Sequence, residues 1–122
     1  MADPGRHEDD RGVIQDLLVA PLDAVTRIWT RKGAIRGNHV HAETTQWTYV
    51  VSGLLRVMTQ QGGRLRDRTY GPGDMACELP GVAHAWEALE DTEVLVFTKG
   101  PRSGTAYESD TFRLPDAERL LS

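Results

Sequence analysis

The chain has 122 residues, a formal net charge of −4 and a single cysteine. That length holds one hydrophobic core and not two, scattered charges leave no basic stripe for nucleic acid, and one thiol excludes an internal disulfide. No apolar run approaches a membrane span and the charged opening lacks the apolar stretch of a signal peptide, so the sequence predicts a soluble, cytoplasmic protein whose partner is a small molecule rather than nucleic acid or a membrane.

Residues 1–12 are polar, with Pro4 and Gly5 among the charges. They read as a flexible leader ahead of one domain over 13–122. Short apolar runs then cover 13–19, 24–30, 47–51, 54–59, 75–79 and 94–98. They are rich in β-branched and aromatic residues, and turn signals such as Ser52-Gly53, Gln61-Gly62-Gly63, Gly71-Pro72-Gly73-Asp74 and Pro80-Gly81 separate them. Short strands at this spacing predict an all-β sandwich or barrel. The tail over 114–121 puts Pro115 and Asp116 where a helix start tolerates them, which predicts a short C-terminal helix.

The stretch 33–53 carries the chemistry. His39 and His41 stand two residues apart in a strand-like segment, so both rings project to one face. His84 follows the turn Pro80-Gly81 at the head of another apolar run. Three neutral imidazoles plus one oxygen donor suit a divalent transition metal: zinc, iron, nickel or manganese. Within 45–51 alternation sets Gln46, Thr48 and Val50 on one face and Trp47, Tyr49 and Val51 on the other, with the loop 42–45 able to shift the register by one. Oxygen donors downstream of the histidines are Glu43, two residues beyond His41 and on the same face if the strand continues, and Gln46.

The spacing is Gly33, five residues, His39, one, His41, four, Gln46, six, Gly53. A second segment runs Gly73, six residues, Pro80-Gly81, two residues, His84. Together these resemble the two signature motifs of the cupin family over roughly residues 33–88. The resemblance implies a double-stranded β-helix, or jelly-roll barrel, holding a metal through two histidines and a glutamate from the first motif and one histidine from the second. Two positions depart from the pattern: Gln46 stands where the family has its acid, and Ala88 where the second motif often ends in Asn. With no carboxylate, three neutral histidines leave the ion its full charge and favour an anionic substrate ligand.

Asp10-Arg11-Gly12, the run Arg36-Gly37-Asn38-His39-Val40-His41, and Tyr107-Glu108-Ser109-Asp110 with Arg113 look like elements of nucleotide-sugar cupins, the 3,5-epimerases and 4-keto-sugar 3,4-ketoisomerases. That narrower resemblance implies isomerisation or epimerisation of a keto-sugar or similar carbonyl compound, with histidine as acid or base and no metal. Two arrangements stay open. Either His39 and His41 move protons and His84 is a barrel residue, or all three hold an ion that polarises a carbonyl while another group moves the proton. A metal-dependent dioxygenase or lyase is the alternative chemistry, and a non-catalytic small-molecule-binding cupin is the alternative class.

Other side chains carry weaker expectations. Arg36 binds an anion or pairs with an acid at the barrel rim, and Tyr49 serves as a general acid if it lines the cavity. Arg27 shares a face with Val25 and Trp29, and facing inward it would need a partner. Trp47, Trp86 and Phe97 read as core or subunit interface, Cys77 as a small buried apolar residue, and Glu87 and Glu90 as solvated. His7 is without a role. Aromatic residues on the outer sheet face predict a homodimer.

Overall fold

The computed structural model describes residues 5–101 and 108–122. Two antiparallel sheets face each other. One is ordered β3 (Ala24–Thr30), β10 (Thr92–Lys99), β5 (Thr45–Ser52), β8 (Met75–Glu78). The other is ordered β11 (Thr111–Arg113), β4 (Ile35–His41), β9 (Ala83–Ala88), β6 (Leu55–Gln61), β7 (Arg64–Tyr70). From β3 to β11 sequential strands alternate between the sheets, except that β6 and β7 form a hairpin within one of them, the pattern of a jelly-roll double-stranded β-helix.

Inward positions follow from the register. Val94, Val96 and Thr98 of β10 lie beside Val50, Thr48 and Gln46 of β5. Across the barrel, Ala88, Trp86 and His84 of β9 lie beside Leu55, Val57 and Thr59 of β6. Each strand thus runs from apolar to polar along the barrel axis. The apolar end is the core of Val50, Leu55, Val57, Trp86, Val94 and Val96. The polar end holds the histidines. Gly53 sits at the tight β5–β6 link with φ +96°, where a Cβ would lie 2.4 Å from the Asp91 carbonyl oxygen, so the closing glycine of the first motif is sterically fixed.

Several expectations change at the periphery. Instead of a featureless leader, β1 (Arg6–Asp9) pairs with β2 (Gly12–Gln15) in a hairpin whose strand residues are all exposed, so the 12/13 boundary falls inside β2. The charged run of β7 gave no apolar signal because it is an exposed edge strand, a place where sheets tolerate charge. The expected terminal helix is one 3₁₀ turn, Asp116–Glu118. Beyond it the Leu120 and Leu121 amides turn away to the Asn38 side chain. Cys77 is exposed, because Ala76 and Glu78 take the buried positions of β8. Arg27 also faces outward, paired with Glu93. Glu87 is half-buried in an ion pair with Arg56, while Glu90 is exposed. Among the described residues no helix is long and apolar enough to cross a membrane.

Candidate metal centre

His39 lies directly opposite His84 in the β4–β9 ladder because the strand bulges between them. The pairing runs Ile35 to Glu87, Arg36 to Trp86, Gly37 to Ala85, then skips to His39 against His84. Asn38 is the extra residue. Without it His39 would face the outer side, since one residue of register flips every side chain. Gly37 at φ +88° and Asn38 at φ +57° make the kink. A Cβ on Gly37 would lie 3.0 Å from the His84 carbonyl oxygen. Asn38 tolerates the left-handed region and is held from the tail: its Oδ1 accepts from the Leu120 and Leu121 amides at 2.7 and 3.2 Å, and its Nδ2 donates to the Leu121 carbonyl at 2.9 Å.

The result is three imidazoles around one point. Their ligand nitrogens all lie within 4.8 Å of one another, and the ring centroids are 4.7, 4.7 and 5.5 Å apart. His41 and His84 are buried and His39 is half-buried. The His84 Nδ1 faces the Val82 carbonyl at 3.4 Å. A carbonyl only accepts, so the proton sits on Nδ1 and the Nε2 lone pair points at the centre. The His41 Nδ1 faces the Thr111 hydroxyl at 3.3 Å and the buried Asp110 carboxylate at 3.9 Å. Asp110 is itself held by the Glu43 amide at 2.7 Å and the Thr44 hydroxyl. Such carboxylate–histidine contacts orient metal ligands.

Burial, the positive Arg113 and the neighbouring rings keep protons off these nitrogens. The His39 pKa is lowered to about 4, first by burial, then by His41 and Arg113. That of His84 is lowered to about 3, first by burial, then by His39 and His41. At neutral pH both are unprotonated, the form that binds metal. His39 Nε2 and His84 Nε2 lie 3.0 Å apart, a hydrogen bond when one ring carries its proton there and a pair of converging donors for an ion when both carry it on Nδ1. Two bonds of about 2.1 Å at a right angle span about 3.0 Å, so the donor set fits a transition ion.

A cavity of about 270 Å³ opens from the histidines, with Arg36, Gln46, Trp86, Glu108 and Arg113 on its wall. Gln46 is where the spacing put it. Glu43 is not: β4 ends at His41, the chain turns, and the Glu43 side chain is exposed. Arg36 reaches the wall, tied to the Thr30 hydroxyl at 2.9 Å and the Trp29 carbonyl at 3.3 Å rather than to an acid. Tyr49 pairs with Leu95 and Met75 on the outer face, so the sheet separates it from the cavity. Tyr107 of the Tyr-Glu motif lies outside the described residues.

Sequence reasoning placed Asn38 and Asp110 within motifs without giving them a role, and did not single out Glu78. Glu78 is 2% exposed, and burial pushes its carboxyl up to about 7, with the nearby Trp86 indole and its own backbone drawing it partly back. The available signal was an acid at an inward, alternating position of the run 75–79.

A two-sheet β-barrel with three convergent histidines at its polar end defines a jelly-roll fold whose residues could hold a metal ion. The chain belongs to the cupin family, whose sequence model matches residues 22–116. It is 35% identical over 101 residues to a probable oxalate decarboxylase of Arthroderma benhamiae, covering 78% of this chain and 24% of that protein. It is 32% identical over 106 residues to an oxalate decarboxylase of Bacillus subtilis, covering 84% and 26%. The chain thus spans about a quarter of the length of the curated relatives it matches. Among solved structures it superposes on a sugar 3,4-ketoisomerase from Thermoanaerobacterium thermosaccharolyticum with a TM-score of 0.74 at 15% identity, covering 93% of this chain and 85% of that one, a likeness of fold.

Proposed function

We propose that this chain is a metal-dependent cupin enzyme acting on a small oxygenated metabolite, with His39, His41 and His84 holding a divalent zinc, iron, nickel or manganese ion and Gln46 assisting. The carrying observation is the set of three mutually converging imidazoles, two of them, His39 and His84, held neutral by burial. When bound, the ion supplies Lewis-acid polarisation of a substrate oxygen. Arg36 and Arg113 on the cavity wall attract and orient an anionic or enolate-like group. Glu108 is the one carboxylate among the described wall residues, placed to take a proton from the carbon beside a carbonyl and return it. Trp86 and Val96 exclude water from the inner end. The reaction is isomerisation or epimerisation of a keto-sugar or similar carbonyl compound.

A second reading is a lyase or dioxygenase acting on a small chelating acid. The 32–35% identity to oxalate decarboxylases favours it. We place the chain in the cytoplasm as a homodimer. On the outer face of the β3–β10–β5–β8 sheet, the register sets Val25, Phe97, Trp47 and Cys77 in one row and Arg27, Leu95, Tyr49 and Met75 in the next, a mostly apolar surface with the Arg27–Glu93 ion pair at its edge, suited to a second copy.

Metal analysis of protein purified without added ions tests the site. About one equivalent in the wild type and none in His84→Ala is expected; no ion in the wild type overturns it. The loaded protein is then offered keto-sugars and dicarboxylic acids, with and without oxygen. An isomerised sugar at constant mass supports the first reading, release of carbon dioxide or uptake of oxygen the second, and binding of one ligand without turnover a non-catalytic cupin.

A further inference from the structure

We propose that Glu78 supplies the negative charge of this metal site, standing one strand behind Gln46 in place of the acid that the first motif lacks. The inference rests on the metal reading above. In the β5–β8 ladder Gln46 pairs directly with Glu78, and directly paired residues project to the same side of a sheet. On its other side Gln46 pairs with Thr98. Gln46 and Thr98 line the same cavity as His39 and His84. Glu78 is therefore the direct strand neighbour of a residue on the histidine cavity, although only Gln46 of the two reaches the wall.

One polar neighbour of Glu78 is the Trp86 indole, close enough to lower its pKa somewhat but not in hydrogen-bonding geometry. Among the described residues, both carboxylate oxygens are fully buried without a hydrogen-bond partner, and so is the indole nitrogen of Trp86. A buried carboxylic acid that satisfies nothing costs stability, and an apolar residue of the same volume would serve a barrel core better. Buried polar groups of this kind mark functional positions. Histidine ligands are neutral when they bind, so an ion among His39, His41 and His84 keeps whatever positive charge the Asp110 carboxylate behind His41 does not offset. A carboxylate one side chain away offsets that charge without blocking an open coordination position, as a direct acid ligand at position 46 would.

The test measures ion affinity, by competition with a chelator, and the melting temperature of the ion-free protein. Wild type, Glu78→Gln, Glu78→Met and the double variant Gln46→Glu/Glu78→Gln are compared. The expected result is ten- to hundredfold weaker binding in Glu78→Gln and Glu78→Met, the usual scale for groups supporting metal ligands. The ion-free Glu78→Met melts at or above the wild-type temperature, and the double variant recovers affinity to within about threefold of wild type. A purely structural Glu78 would give the opposite pair, a lower melting temperature with unchanged affinity, and that outcome overturns the proposal. Failure of the double variant to recover affinity while folded also overturns it. A wild type that takes up no ion overturns the metal reading itself, whereas a wild type that binds and variants that bind equally well overturn only the role of Glu78.

Discussion

His39 faces His84 across a ladder that would carry it to the outside but for one inserted residue, Asn38. The site therefore depends on a backbone irregularity as much as on its ligands. Asn38→Ala removes three side-chain hydrogen bonds and places Ala at φ +57°. It should cost about 1–3 kcal/mol and weaken ion binding at least tenfold. Asn38→Gly keeps the conformational freedom and should lose stability while retaining more affinity. Urea unfolding combined with chelator competition checks the pair; equal affinities in both variants would argue against the bulge as the positioning element.

Gly37→Ala should be more disruptive than its size suggests. The added methyl meets the His84 carbonyl at 3.0 Å with φ at +88°, and the strand can relieve this only by shifting the ladder that aligns the two rings. A loss of about 1–3 kcal/mol is expected, together with loss of ion binding. Thermal melts and metal analysis after dialysis read both effects.

Stability of the ion-free protein should rise with pH between about 4.5 and 6.5. The folded pKa values of His39 and His84 lie below the ordinary 6.5, at about 4 and about 3. Unfolding in this window therefore takes up about two protons on these rings. Glu78 acts with opposite sign. Its folded pKa is raised to about 7 from 4.5, so its contribution is full at low pH and is lost as pH rises through 7. The net uptake is about one proton per unfolding event. Glu78→Met should steepen the slope to about two. A melting temperature that is flat or falls from pH 5 to 6.5 contradicts the balance.

Asp110→Asn should test the orientation of His41. The carboxylate faces Nδ1 at 3.9 Å and accepts from the Glu43 amide and Thr44 hydroxyl. Neutralising it should weaken the ion site by about 10–100-fold and lower the melting temperature. Unchanged chelator competition would assign Asp110 to loop closure alone.

Phe97→Glu probes the outer apolar face. Paired with Val25 and Trp47, a charge there should convert a dimer to a monomer in sedimentation at micromolar concentration without altering ion affinity. A wild type that sediments as a monomer removes the proposed interface.

Much of this was legible in the sequence because barrel strands advertise themselves by turns. The run 24–30 coincides with β3, and the split of Gln46, Thr48 and Val50 from Trp47, Tyr49 and Val51 follows from alternation, whereas the choice of inward face is set by the turn between β4 and β5. What stayed hidden was whatever breaks alternation or lacks apolar residues. The bulge at Asn38 leaves no mark on hydropathy, although the Gly37-Asn38 pair is a signal of positive φ. The edge strand β7 is too charged to register, and the exposed Cys77 depended on which face of a four-residue strand turns inward. Glu43 looked eligible only while the strand was imagined to continue past His41.

The grip of Asn38 on Leu120 and Leu121 ties the last turn of backbone to the bulge beside the first ligand. Linkage is reciprocal: an ion that favours the kinked strand must also hold the tail down. Amide hydrogen exchange at Leu120 and Leu121 should accordingly slow on loading, so a pair of protons far from any reacting atom becomes a gauge of occupancy.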